Sequence, residues 1–241
     1  MRDSWWIVQK GERFMKRIIG ALAAISMLSV APAYAAVSST CGGSSCTLTE
    51  LISGETITID GVTFSISDFF DTSSVALDTD VITVTGSSEP GKASLKFEAT
   101  PALTVMGDLD FLGADFTLGA VVDMMSPATI TGASLEAGAD DLAISGPGVS
   151  SALFDVDGSF LEVFDDSDFG ELLSSATALG GVSMISALGS IGLFGLDSSS
   201  TASLTGFTFA LDLDGVPEIP VPAALPLFLA GLAIIRRRRT T

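Results

Sequence analysis

The stretch "TITIDGVTFSI", residues 56–66, predicts the fold of the central part of this chain. It contains two short runs in which apolar and polar residues alternate, and the runs meet at Asp60 and Gly61. An Asp-Gly pair favours a two-residue hairpin turn, because that turn requires positive φ at both of its central positions. Alternation with a period of two also gives each strand one apolar face. The stretch therefore predicts an antiparallel hairpin with one face buried.

The same alternation recurs along the chain. Runs rich in Val, Ile, Leu, Phe and Thr lie between Gly, Asp, Ser or Pro residues, as is typical of strands: "DVITVTG", "ASLKFEA", "ATITGASLEA", "DDLAISG", "SALFDVDG", "SFLEVFDD" and "ASLTGFTFALDLDG". Residues 169–195 are ambiguous, since their Ala, Leu and Met support a helix whereas their repeated Gly and Ser favour glycine-broken strands or a loose loop. The sequence predicts an all-β fold of roughly nine to eleven strands, an antiparallel β-sandwich of jelly-roll type.

Residues 1–35 are predicted to be a secretory signal peptide. Two basic residues follow Met15, an apolar run follows them, and Ala33 and Ala35 form a small-x-small cleavage site before Ala36. This layout is typical of a signal peptide and favours Met15 as the start of translation. The alternative is a buried N-terminal helix. Export by the secretion machinery and removal of the leader by signal peptidase are therefore expected.

The first residues after this site contain two cysteines, Cys41 and Cys46, separated by "GGSS". In an exported chain, two cysteines so close together predict a disulfide that closes a small loop. A redox or metal pair would need C-x-x-C spacing or further ligands. Thr47 and Glu50 then match a capping box, which predicts a short helix that ends before Gly54.

Residues 36–215 are predicted to form one secreted, strongly acidic domain. They contain 26 carboxylates but only two basic residues, Lys92 and Lys96, which gives a formal charge of −24. Such a surface repels phosphate backbones, so binding to nucleic acid is excluded. It would instead attract divalent cations or polycations.

Residues 216–241 are predicted to be a membrane-directed tail. A proline-rich spacer precedes the apolar run 221–235, and four arginines follow it directly. The run has 15 residues, whereas a membrane span usually needs about 20. It is therefore a marginal transmembrane helix, and the arginines would hold its end on the cytoplasmic side. An amphipathic or core-docked helix is disfavoured because the run has no polar face.

This tail resembles the PEP-CTERM sorting signal of Gram-negative bacteria, in particular its V-P-L-P-A variant. The matching residues are the proline motif and the terminal arginine cluster: Val216, Pro217, Glu218, Pro220, Val221, Pro222, Ala223, Arg236, Arg237, Arg238 and Arg239. Ile219 interrupts the V-P-E-P form. The resemblance implies that an exosortase, a membrane cysteine transpeptidase, cuts near the proline motif and releases or attaches the protein. It also implies an inner-membrane intermediate, a final place at the cell surface or outside the cell, and an association with exopolysaccharide and biofilm.

A weaker resemblance covers the stretch "CTLTELISGETITIDGVTFSISDF", residues 46–69, which is similar to the start of many such sorted proteins. It implies a β-domain and says nothing about activity.

The composition of residues 36–215 argues against an enzyme. These residues include no His, Arg, Trp or Tyr. A Ser-His-Asp or Cys-His arrangement therefore cannot form, an ordinary zinc site lacks ligands, and no guanidinium is present to clamp a phosphate or carboxylate. We expect no catalytic residues and no cofactor.

Clusters of aspartates leave two alternatives open. Paired carboxylates can hydrolyse glycosides and oxygen ligands can bind Ca²⁺, but no cluster matches an EF-hand loop, and turn aspartates are common without a ligand. The candidate calcium ligands are Asp155, Asp157, Asp165, Asp166 and Asp168, and Asp212 and Asp214 form a further acidic pair. The sequence favours a structural, matrix-associated surface protein that contacts polysaccharide. The alternative is a calcium-dependent adhesin or glycan-binding module.

Overall fold

The computed structural model describes residues 37–107 and 110–215. The predicted N-terminal signal helix and the predicted C-terminal hydrophobic helix lie outside these residues. Within the described ranges, no helix is long and apolar enough to cross a membrane.

The described residues form more strands than the sequence predicts. There are 15 strands, one short α-helix and one 3-10 helix, Thr79–Val81. The elements are β1 (Val37–Ser39), β2 (Ser45–Thr47), α1 (Leu48–Ile52), β3 (Thr56–Ile59), β4 (Val62–Asp71), β5 (Ile82–Glu89), β6 (Lys92–Met106), β7 (Phe111–Val122), β8 (Thr129–Glu136), β9 (Leu142–Ser145), β10 (Gly148–Val156), β11 (Ser159–Asp166), β12 (Gly170–Leu172), β13 (Ser174–Val182), β14 (Met184–Gly195) and β15 (Thr201–Asp214).

Two antiparallel sheets contain these strands. Sheet A has the order β1-β3-β4-β7-β14-β10-β11-β12, and sheet B has the order β13-β8-β15-β6-β5-β2, with β9 also paired to β15. The arrangement confirms the predicted antiparallel β-sandwich, while the jelly-roll connectivity stays a prediction. The hairpin between β3 and β4 turns at Asp60 and Gly61, with φ of 51° and 80°.

The ambiguous stretch 169–195 is strand rather than helix. It forms β12, β13 and β14, and β14 lies between β7 and β10 in the interior of sheet A. The helix alternative is wrong here because the glycines of β14 leave room for core side chains to pack against the sheet. A Cβ at Gly189 would lie only 2.7 Å from the ring of Phe116 and 2.8 Å from that of Phe154.

Five phenylalanine rings from both sheets form the centre of the core. Phe116 and Phe154 come from sheet A, and Phe97, Phe207 and Phe209 come from sheet B. Ring centroids are 4.7 Å apart for both the Phe97–Phe207 and the Phe154–Phe209 pairs. Complete burial of such a side chain stabilises the fold by about 1.5–3 kcal/mol. These rings therefore hold the two sheets together.

The registers define two ends of the sandwich. At the end that we call the exit end, Val62 pairs with Val122 and Met184 pairs with Val121. At the far end, Phe194 pairs with Phe111. Met184 and Phe194 are ten positions apart along β14, which places the two ends about 30 Å apart at 3.3 Å per strand residue.

Candidate functional site

The outer face of sheet A is the candidate site. On β11, alternation turns Leu161 and Val163 into the core, where both are 0% exposed, and turns Phe160 and Glu162 outward. Phe160 is 68% exposed. The ring lies on the outward side of the β10–β11 hairpin, one strand from the β12 edge of sheet A, and a single exposed ring of this kind gains significance only together with its neighbours on the same face.

Leu188, Asp155 and Phe160 form a row across three neighbouring strands. Asp155 of β10 pairs with Leu188 of β14 on one side and with Phe160 of β11 on the other. Strands in a sheet are about 4.8 Å apart, so the two apolar side chains flank the carboxylate at a separation of about 10 Å. Leu188 is 59% exposed. The row therefore presents two apolar contacts around one carboxylate.

The adjacent row adds a second carboxylate. Leu153 of β10 pairs with Glu162 of β11, and Ser190 of β14 pairs with Leu153. Glu162 thus lies next to Phe160 on the same face. An aromatic ring packs well against the apolar side of a sugar ring, and carboxylates accept hydrogen bonds from hydroxyl groups. This face has the groups that a saccharide would need.

The candidate calcium ligands Asp155 and Asp157 lie at the turn between β10 and β11. Asp157 and Gly158 both adopt positive φ, at 52° and 79°. The amide of Gly158 donates a hydrogen bond of 2.9 Å to Oδ1 of Asp155. One carboxylate oxygen of Asp155 therefore stabilises the turn, as expected for an aspartate that favours local hydrogen bonds.

The other three candidate ligands lie at the far end. The amides of Asp168 and Phe169 donate to Oδ1 of Asp166, at 2.7 and 3.1 Å. The amide of Ile144 donates to Oδ2 of Asp165 at 3.2 Å. The structure thus separates these residues from the Asp155–Asp157 turn by most of the length of β11. Calcium binding stays a prediction.

Close groups of potential metal ligands are scarce in the described ranges. The one group of three whose ligand atoms lie within 4.8 Å of one another is Cys41, Cys46 and Glu50. The two sulfur atoms are bonded to each other, so they offer no thiolate to a metal.

The predicted disulfide is confirmed. Cys41 and Cys46 are bonded, with their Cα atoms 5.5 Å apart. The predicted capping box is also present, because the Thr47 side chain accepts from the Glu50 amide and the Glu50 side chain accepts from the Thr47 amide. The observed helix, Leu48–Ile52, begins where expected and has five residues. The disulfide loop, β2 and this helix together form the start of the domain.

Among the described residues, two aspartates have lowered pKa values: Asp71, the last residue of β4, and Asp197, in the loop between β14 and β15. Hydrogen bonds from the Ser73 side chain and from the amides of Leu77 and Ser73 hold the pKa of Asp71 below its ordinary value. Hydrogen bonds from Ser199, side chain first, lower the pKa of Asp197 in the same direction. Both carboxylates organise loops, and neither lies in the row formed by Leu188, Asp155 and Phe160.

Two predicted sites lie outside the described residues. These are the cleavage site at Ala33, Ala35 and Ala36, and the sorting signal, residues 216–241.

Phe160 and Leu188 are residues of this face that the sequence did not predict as candidate site residues. The signal was available for Phe160, because in "SFLEVFDD" the positions of Phe160 and Glu162 share one face and Leu161 and Val163 the other. An aromatic residue on the same face as a carboxylate is a candidate surface contact. Leu188 could not be assigned to this face because the sequence of residues 169–195 did not distinguish a helix from strands or a loop.

The fold and this face define an antiparallel β-sandwich that exposes apolar and acidic side chains on one sheet. The chain matches no protein-family model, and no curated protein matches it. Among solved structures it is similar to a low affinity xylan binding module from Roseburia intestinalis, at 10% identity and a TM-score of 0.20 over 50% of this chain and 96% of that chain.

Two further solved structures are similar at the same low level. One is a carbohydrate-binding module of the β-sandwich superfamily, at 12% identity and a TM-score of 0.25, over 65% of this chain and 58% of that chain. The other is endoglucanase 3 of Trichoderma harzianum, at 6% identity and a TM-score of 0.21, over 60% of this chain and 98% of that chain. TM-scores this low identify neither a family nor a ligand.

Proposed function

We propose that this chain is an exported, non-enzymatic protein of the cell surface or extracellular matrix. The observation that carries the proposal is the disulfide between Cys41 and Cys46 at the start of the domain. Disulfides persist in oxidising compartments outside the cytoplasm and are rare in the cytosol. The bond therefore supports export, in line with the signal peptide that precedes it in the sequence.

The tail, residues 216–241, is a sorting signal in this proposal. Its apolar run enters the inner membrane at least transiently, the arginines stop its transfer, and an exosortase-type transpeptidase cuts near the proline motif. The mature domain then remains at the surface or is released, where it contacts matrix polysaccharide. The resemblance of the tail to the PEP-CTERM signal supports this route.

The mass of the mature protein tests the route. In cells that contain the cognate exosortase, we expect a product that begins at Ala36 and lacks Arg236–Arg239, whereas cells without the enzyme retain the arginines. Replacement of Pro220 and Pro222 by Ala should preserve insertion but impair cleavage, because the spacer loses its extended shape. Chains that end at Thr241 in both strains, equally membrane-bound, would show that the tail is a plain anchor.

A second candidate function is glycan binding by the outer face of sheet A. The observation that favours it is the exposed ring of Phe160 beside Asp155 and Glu162. Phe160→Ala should abolish binding to any saccharide that a glycan array identifies. Phe169→Ala is the matched control, because Phe169 is also exposed but lies in the turn after Asp166 at the far end. Equal binding by both variants would refute the assignment, and binding that survives EDTA would exclude a calcium-dependent adhesin.

A further inference from the structure

The described chain enters and leaves the sandwich at the same end. Val37 pairs with Ile59, next to the Asp60–Gly61 turn. Asp214 pairs with Thr129, and a Cβ at Gly215 would lie 2.7 Å from the carbonyl oxygen of Pro127. Both the turn and Pro127 belong to the exit end, so the last described residue, Gly215, lies at that end.

Exposed methionines surround this exit. Met124 is fully exposed and Met125 is 91% exposed, and both lie in the loop 123–128 that leads to Pro127. Met184 is 64% exposed and pairs with Val121, which is itself exposed. These residues, together with Val182, form an apolar patch that we call the exit patch.

The loop that presents the methionines is well ordered by hydrogen bonds. The Asp123 amide donates to the Gly61 carbonyl at 2.7 Å, and the Met125 amide donates to Oδ1 of Asp123 at 2.9 Å. The Ala128 amide donates to Oγ of Ser126 at 3.2 Å. The fold therefore fixes the backbone of the loop while it holds two methionine side chains in solvent. Leaving such side chains in water forfeits apolar burial, which a contact would recover.

We propose that the exit patch rests in the interface of the lipid bilayer that holds the tail. The inference rests on the proposed function, because it requires the apolar run 221–235 to be in the membrane. The spacer between Gly215 and this run has five residues, 216–220, and even fully extended it spans about 16 Å at 3.1 Å per residue. The exit end thus stays close to the bilayer, and flexible thioether side chains suit a disordered lipid interface.

The charges at the exit end specify the lipid. Asp60, Asp123, Asp157 and Asp214 lie in its turns or at its last strand residue. These carboxylates repel anionic headgroups. The exit patch therefore contacts zwitterionic headgroups, and phosphatidylcholine vesicles are the appropriate probe.

Oxidation of methionines in the chain exported from cells without exosortase, which has lost the predicted leader and keeps the tail, tests the contact. The chain is mixed with phosphatidylcholine vesicles, the floating and non-floating fractions are separated, and each is treated with hydrogen peroxide. Peptide mass spectrometry then measures methionine sulfoxide at each position. Met106 is the internal control, because it is 69% exposed and lies at the opposite end, where it pairs with Thr201.

In the floating fraction, we expect Met124 and Met125 to oxidise about fivefold or more slowly relative to Met106, because interfacial insertion excludes aqueous peroxide. In the non-floating fraction they should oxidise at least as fast as Met106. A variant that carries Met124→Ser and Met125→Ser should still float, but its Met184 should lose protection. Loss of that protection would show that the two methionines of the loop hold the whole exit patch in the bilayer interface.

Three outcomes would overturn the inference. Equal oxidation of Met125 and Met106 in the floating fraction would refute the contact and leave insertion of the tail intact. Protection in the non-floating fraction would assign the patch to a second copy of the chain. Flotation that persists in a Leu227→Asp, Leu229→Asp variant would refute the tail as the anchor and with it the basis of the inference.

Discussion

At the residue scale, Gly189 shows how closely the core restricts the chain. Gly189 faces inward on β14, and a Cβ there would lie 2.7 Å from two ring atoms of Phe116. Phe116 itself packs edge-on against Phe154, with centroids 5.7 Å apart. The rings cannot withdraw, because Phe97, Phe207 and Phe209 pack around them in the same cluster.

Gly189→Ala should therefore destabilise the domain by about 1–3 kcal/mol, the usual cost of overpacking. Gly180→Ala is the matched control, since a Cβ at Gly180 would have no neighbour within 4 Å. Its effect should stay within about 0.5 kcal/mol, as for ordinary surface positions. Urea unfolding of both variants measures the difference, and equal stability would contradict the packing described here.

A second residue-scale prediction concerns Asp71. Its carboxylate accepts hydrogen bonds from the amides of Ser73 and Leu77, at 2.9 and 3.0 Å. Because its pKa is lowered in the folded state, its stabilising contribution is complete above the ordinary value of 3.8 and is lost as the pH falls through the lowered pKa. Asp71→Asn should cost at most about 0.5 kcal/mol at neutral pH, because solvent screens this exposed carboxylate.

The pH dependence separates this effect from a general change of charge. The gap in unfolding free energy between wild type and Asp71→Asn should narrow as the pH falls below 3.8. Glu171→Gln removes a charge from an exposed position of β12, and it should leave stability at neutral pH nearly unchanged. A gap that stays constant to low pH would show that the charge of Asp71 plays no part.

At the element scale, the sequence predicted the hairpins best. The Asp60–Gly61 turn, the short helix after Cys46 and the alternating strands depend on local rules of turn geometry, capping and period, and the structure has all of them. β13 and β14 could not be predicted so well, because their glycines and small residues reflect tertiary packing rather than local preference. The candidate face could not be predicted from the sequence for a related reason, since the Leu188–Asp155–Phe160 row exists only after three strands are paired.

The disulfide gives the element-scale prediction. It closes a small loop next to β2, and Cys46 is buried where β2 pairs with β5. Replacing both Cys41 and Cys46 by Ser should lower the free energy of unfolding by about 2 kcal/mol on the chain-entropy account. Thr47→Ala is a useful comparison, because it removes the adjacent helix cap at a cost of about 1 kcal/mol. A double Ser variant as stable as wild type in urea would contradict a stabilising role for the bond.

At the scale of the whole molecule, charge is distributed very unevenly. The two lysines of the domain lie on sheet B, where Lys92 approaches Glu136 at 3.5 Å and Lys96 approaches Glu98 at 2.7 Å. The hydrogen bond to Glu98 raises the pKa of Lys96. Sheet A has no basic residue among its strands, so its carboxylates repel one another without local compensation.

The last prediction follows from this repulsion. The formal charge of −24 on residues 36–215 should destabilise the domain at low ionic strength. Added salt screens charges beyond a Debye length of about 10 Å at 0.1 M. The Tm should therefore rise when the NaCl concentration is increased from about 10 mM, a tenth of that salt concentration, to about 0.5 M, five times it. A gain of about 1 kcal/mol corresponds to roughly 2–4 °C in a domain of this size.

Calcium then distinguishes screening from a specific site. If the aspartates of the two turns act only as solvated acids, CaCl₂ and MgCl₂ at equal ionic strength should raise the Tm equally. A calcium site would favour Ca²⁺, because Ca²⁺ accepts six to eight oxygen ligands in flexible geometry whereas Mg²⁺ requires a near-ideal octahedron. The separation of Asp155 and Asp157 from Asp165, Asp166 and Asp168 predicts the equal result. A larger rise with Ca²⁺ that disappears in Asp155→Asn would instead establish a calcium site at the β10–β11 turn, beside the exposed ring of Phe160.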